Sequence, residues 1–174
     1  MSFSSKLIEA GKPYLDLQAK KPFLTGIAKG DLANERFLYW VKVDYPYLIN
    51  FSRILALGVS KAIDLEGMRI MQDYLDWIID EELALHESYA EKNGISKEEL
   101  AHFQMGPIKY AYTRHELSTA HSGTLEELIS GIMPCLVGYQ IVSKALVKQY
   151  PIQDDNPYRN WLSMYSADTL LDRK

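Results

Sequence analysis

Two carboxylates and one thiol stand where apolar side chains are expected. Asp44 interrupts the run Phe37, Val41, Asp44, Leu48, Phe51, Leu55. Glu82 interrupts Met68, Met71, Leu75, Ile78, Glu82, Leu85, Tyr89. Cys135, the single cysteine, precedes Tyr139 in Leu125, Leu128, Ile132, Cys135, Tyr139, Val142, Leu146. Steps of three and four trace one face of a helix, so each break falls in mid-stripe. A carboxylate in a core needs a partner or a polar cavity, or it loses its charge. A thiol becomes a nucleophile once ionised, which for a free cysteine occurs near pH ~8.5. Tyr47 follows Asp44 by three and Tyr139 follows Cys135 by four, so each tyrosine shares a face with its neighbour. Tyr112 and Tyr165 fall on inward faces, with Trp161 one turn before Tyr165. If the helices bundle, an acid, a thiol and several phenols around one cavity suit a flat, polar heteroaromatic ligand.

Each residue also has a plainer reading. Asp44 is a structural acid paired with an arginine or a tyrosine. Glu82 rotates to the edge of its stripe and pairs with His86 on the helix surface. Cys135 is a small buried hydrophobe. Two prolines favour the cavity: Pro46 follows Asp44 by two, and Pro134 immediately precedes Cys135. Each removes one helical hydrogen bond beside a polar break, at a cost of about 3 kcal/mol, and a bend there makes room for a ligand.

The elements that must position these residues are all helices. No strand-like alternation is sustained, and neither an internal repeat nor a low-complexity linker is present. The pattern predicts helices over about 3–11, 22–30, 32–57 (ending near Gly58) and 64–93 (stopped by Asn93-Gly94). Capping boxes at Ser96–Glu99 and Thr124–Glu127 open a short helix and one running to about 150. Further helices are expected over 107–121 and from Asn156-Pro157 to about 165, and residues 166–174 resemble the start of another.

Composition narrows the function classes. The 174 residues carry a net charge of −4, without a Lys/Arg block, so no nucleic-acid footprint is present. No apolar run approaches the roughly 18 residues of a membrane span, and the N-terminus is too polar for a signal peptide. One cysteine forms no internal disulfide, and a reducing cytoplasm is the expected compartment. Di-iron bundles need two Glu-x-x-His pairs, whereas only Glu99–His102 has that spacing; no metal or other cofactor is expected. His86, His102, His115 and His121 show no distinctive setting, although His115 could face inward.

VDYPYLINFSRILALG, EELALHESYAEKNGIS, YAYTRHELS, MPCLVGYQ and NPYRNWLSMYS, in that order, resemble the TenA family, also called thiaminase II. The resemblance runs from about residue 6 to 170. It implies an all-α, haem-oxygenase-like multi-helix bundle, with 1–174 as one domain, usually assembled as a homotetramer. It implies hydrolysis of thiamin-derived aminopyrimidines in thiamin salvage: aminomethylpyrimidine to hydroxymethylpyrimidine, and thiamin to that pyrimidine plus a thiazole. Small-molecule aminopyrimidine or thiamin is the implied partner. Cys135 matches the catalytic cysteine of a cysteine-bearing subgroup. Asp44 would bind the ring nitrogen and amino group, and Tyr47 would stack on the ring. Tyr139 and Tyr165 would hydrogen-bond near the thiol and the ring, Tyr112 would line the pocket, and Glu82 would contact the pyrimidine or move protons. The family continues into a final helix bearing an acidic glutamate that no residue here matches. The chain is therefore expected to be C-terminally shortened, with a pyrimidine-binding protein of little turnover as the alternative.

Overall fold

A computed structural model describes residues 2–168, and among these every regular element is helical. The helices are α1 (Phe3–Gln18), α2 (Pro22–Lys29), α3 (Asn34–Lys61), α4 (Leu65–Trp77), α5 (Leu83–Glu91), α6 (Lys97–Ala101), α7 (Pro107–Ser122), α8 (Leu125–Gln149) and α9 (Arg159–Ser166). A π-helical segment, Ile78–Glu82, joins α4 to α5. The further helix expected over 166–174 falls mostly outside the described residues.

The chain packs as two compact units, residues 34–132 and residues 1–33 with 133–174. The 34–132 unit is organised around α3, whose face Phe37, Val41, Asp44, Tyr47, Leu48, Phe51, Ile54 and Leu55 is buried. The α3 helix does not stop near Gly58, as the sequence pattern predicts, but continues one turn to Lys61. Gly58 is a packing position: a Cβ there would lie 2.2 Å from the Met71 methyl of α4. The helix C-terminus is held instead by Lys61, whose ammonium donates to the carbonyl of Gly123 at 2.6 Å.

Residues 64–93 are not one regular helix. Asp64 caps α4 by accepting from the Gly67 amide, and the π turn then adds a residue to the helical path. From its start the buried positions are Ile78, Glu82, His86 and Ala90, in steps of four. Leu85 and Tyr89, expected in the stripe, are only half-buried. The wider turn rotates His86 inward instead.

Thr124 and Glu127 form a reciprocal capping box at the start of α8, each amide donating to the other's side chain. Ser96 likewise accepts from the Glu99 amide at α6. Among the described residues α8 alone is long and apolar enough to cross a membrane by length and composition. Its face Leu128, Ile132, Val142 and Leu146 is buried within the protein.

In the other unit, α1 runs past Gly11 and Pro13 to Gln18 rather than ending at residue 11. None of α1 is buried, so the carbonyl that Pro13 leaves without a helical donor faces solvent. Gly30 ends α2 in the left-handed conformation, at φ 79°. Asn156 secures that end: its amide donates to the carbonyls of Ile27 and Ala28 at 3.1 and 3.2 Å, while its Oδ1 accepts from the Tyr158 amide.

Candidate active site

Asp44 is 2% exposed and remains ionised because two cations meet it. Lys109 of α7 places its ammonium 2.5 Å from Oδ1. His86 of α5 places Nε2 3.3 Å from Oδ2, an ion-pair contact without the alignment of a strong hydrogen bond. Burial alone would raise the Asp44 pKa; Lys109 and His86 overcome it and hold the group at about 2. The plainer reading of Asp44 had an arginine or tyrosine as its partner. The structure supplies a lysine and a histidine instead.

The other ring nitrogen of His86 fixes its tautomer. Nδ1 lies 2.8 Å from the backbone carbonyl of Glu82, which can only accept, so Nδ1 carries a proton. When the ring takes a second proton, Nε2 faces Asp44 with it. Burial pushes the His86 pKa down, but Asp44 and Glu82 outweigh it and leave the value raised. His86 is thus buried with the Asp44 carboxylate at one ring nitrogen and the Glu82 backbone carbonyl at the other, not a surface partner of Glu82. Glu82 itself is 6% exposed, so it does not sit at the edge of its stripe. His115, considered as an inward histidine, is exposed.

Tyr47 forms the aromatic wall of this cluster. The Lys109 ammonium lies 3.7 Å from the centre of its ring, a cation–π contact. Its hydroxyl donates to Glu116 Oε1 at 3.4 Å. Tyr112 stands beside it, ring centres 5.9 Å apart. Burial raises the Glu116 carboxyl to about 7, against the opposing hydrogen bonds from Tyr112 and Tyr47 and the charge of Lys109.

Of the residues singled out in the sequence, Asp44, Glu82, Tyr47 and Tyr112 therefore gather within residues 34–132. Cys135, Tyr139 and Tyr165 belong to the other unit. Cys135 is half-buried on α8, one turn before Tyr139. Tyr139 and Tyr165 pack with ring centres 4.9 Å apart, and Trp161 lies 4.8 Å from Tyr165. Gln140, 1% exposed, donates to the Ala167 carbonyl and ties α8 to the end of α9.

Sequence reasoning missed Lys109 and Glu116, and took His86 only as a surface partner of Glu82. A stripe drawn along α7 would have found two of them: Lys109, Tyr112, Thr113, Glu116, Leu117 and Ala120 follow helical spacing, with polar breaks like those of α3. His86 reads as a surface residue in the regular stripe, because the π turn changes the register. Among the described residues no three His, Cys, Asp or Glu side chains form a metal-binding group. Glu99, of the Glu99–His102 pair, instead bonds Lys42 at 2.8 Å.

Residues 12–171 match the TENA/THI-4/PQQC family. An aminopyrimidine aminohydrolase of Halalkalibacterium halodurans is 36% identical over 169 residues, spanning 97% of this chain and 75% of that one. One from Bacillus subtilis is 31% identical, spanning 97% and 70%. A crystal structure of a TenA family transcription regulator from Silicibacter sp. TM1040 superposes with a TM-score of 0.86 at 30% identity, covering 95% of this chain and 72% of that one. The chain belongs to the TENA/THI-4/PQQC family, and its fold is the all-α, haem-oxygenase-like fold of the TenA homologues.

Proposed function

We propose that this chain hydrolyses thiamin-derived aminopyrimidines, releasing hydroxymethylpyrimidine from aminomethylpyrimidine or from thiamin. The relatives named as aminopyrimidine aminohydrolases support the reaction class. The observation that carries the reading is Asp44: a deeply buried carboxylate, kept ionised by Lys109 and His86, beside the rings of Tyr47 and Tyr112. Such a carboxylate accepts from an exocyclic amino group and a protonated ring nitrogen together, and holding that proton on the ring makes its carbons more electrophilic.

In this reading the Cys135 thiolate adds to a ring carbon. The electron pair gained by the ring expels the side-chain nitrogen, which leaves as ammonia after taking a proton from an acid, a role we assign to Glu82. Water adds to the resulting exocyclic methylene and loses a proton. The carbon–sulfur bond then breaks, restoring the aromatic ring and the thiolate. With thiamin, the neutral thiazole leaves in place of ammonia. Tyr139 and Tyr165 hydrogen-bond near the sulfur and the ring, and Tyr47 and Tyr112 flank the ring.

The test is release of ammonia and hydroxymethylpyrimidine from aminomethylpyrimidine by purified protein. Cys135→Ala is expected to reduce turnover to background while retaining pyrimidine binding. Unchanged turnover in that variant would remove the nucleophile from the reading. Absence of both binding and turnover in the wild type would remove the reaction.

A further inference from the structure

Lys109 stands where the proposed reaction places the pyrimidine. Its ammonium is 2.5 Å from Asp44 Oδ1 and 3.7 Å from the centre of the Tyr47 ring. At that distance it lies above the ring, because within the ring plane it would overlap the ring carbons. The rest of Tyr47 is enclosed. Phe51 and Tyr112 pack beside it with ring centres 5.7 and 5.9 Å away, its hydroxyl meets Glu116, and the residue is 1% exposed. Asp44 is equally closed, with His86 at Oδ2 and 2% exposure. A flat ligand therefore finds neither an open face of Tyr47 nor an open oxygen of Asp44 until one side chain moves.

Lys109 is the side chain able to move. Asp44, Tyr47, His86 and Glu116 are each at most 2% exposed, whereas the Lys109 side chain is 24% exposed. An ammonium on a flexible stem can swing into water, at the loss of a charge-assisted hydrogen bond and a cation–π contact. Leaving without a replacement is costly, because it strands a buried carboxylate. A ring-protonated aminopyrimidine replaces both interactions at once. Its amino group and ring N–H donate to the carboxylate, and its flat face takes the Tyr47 ring. The ammonium and such a ring compete for one place.

We propose that Lys109 is an internal occupant of the pyrimidine position, closing it in the free protein and displaced into solvent when the pyrimidine binds. This rests on the pyrimidine reading above. Binding is then an exchange of one donor group for another at Asp44, and the measured affinity is what remains after the lysine has been displaced.

Hydroxymethylpyrimidine is the probe, and its binding by calorimetry at about pH 7 is the first measurement. Lys109→Met keeps most of the stem and removes the charge, so the competitor is gone while Asp44 stays. This variant is expected to bind about tenfold more tightly than the wild type, the worth of one charge-assisted hydrogen bond. Equal or weaker binding by folded Lys109→Met would overturn the proposal, since Lys109 would then be a bystander or a part of the bound site. The second measurement needs no variant. Wild-type protein is treated with an amine-acylating reagent with and without the probe, and labelling of Lys109 is read by peptide mass spectrometry against the exposed Lys12 and Lys97. The pyrimidine is expected to speed labelling of Lys109 severalfold and to leave the two references unchanged. Protection of Lys109, or no change there, overturns the proposal even if Lys109→Met does not fold. Absence of binding in every folded protein sinks the pyrimidine reading, whereas binding without the gain in affinity or in labelling sinks this inference alone.

Discussion

At the scale of single residues, Asp44 shows how a costly group is kept in a core. Its two oxygens meet Lys109 and His86, so its charge is retained rather than neutralised. A buried pair of this kind is weak evidence for stability as a whole, but removing one member strands the others. Asp44→Ala leaves the Lys109 ammonium and the buried His86 ring without the carboxylate that both face. It is expected to cost about 3–5 kcal/mol in denaturant unfolding. Loss of pyrimidine binding should accompany it, provided the binding is measured well below the lowered melting temperature.

At the scale of elements, the packing of α3 against α4 depends on a missing side chain. Gly58 ordinarily weakens a helix, yet here the backbone needs the close approach of Met71. Gly58→Ala is expected to be near neutral. The Met71 methyl is the end of a flexible chain and can swing aside, and alanine gains about 1 kcal/mol of helix propensity. Gly58→Val adds bulk that cannot be cleared this way and is expected to cost about 1–3 kcal/mol in the same measurement. The π segment matters equally. It brings His86 rather than Leu85 onto the buried face, and with it the second cation for Asp44.

At the scale of the whole molecule, stability should depend on pH with two opposed limbs. Asp44 sits at about 2 when folded, below its ordinary 3.8, so its contribution is present above about pH 4 and lost as pH falls through 2. Glu116 is raised from its ordinary 4.5 to about 7. The folded state therefore holds a proton that the unfolded chain releases, and stability declines as pH rises from about 4.5 through 7. His86, raised above its ordinary 6.5, adds to the decline above neutrality. Thermal unfolding should show greatest stability on the mildly acidic side, near pH 4–5. Glu116→Gln should lose the Glu116 part of the decline and exceed the wild type above pH 7, by about 2–3 kcal/mol.

Much of this was legible in the residues themselves. The periodic stripes, the two capping boxes and Asn156-Pro157 specify local helices because caps and periodicity act within one or two turns. The mid-stripe positions of Asp44, Glu82 and Cys135 marked the polar breaks for the same reason. What the tertiary structure alone decided was the identity of the partners. Lys109 reaches Asp44 from 65 residues away, and nothing in local spacing encodes which cation will neutralise a given carboxylate. The end of α3 was misread because glycine breaks an isolated helix but completes a packed one. His86 stayed hidden because a single π turn shifts a register that a regular period carries forward unchanged. Local sequence thus determined the helices and the places where their apolar faces fail; long-range packing decided which charges meet there, and so whether each acid keeps its proton.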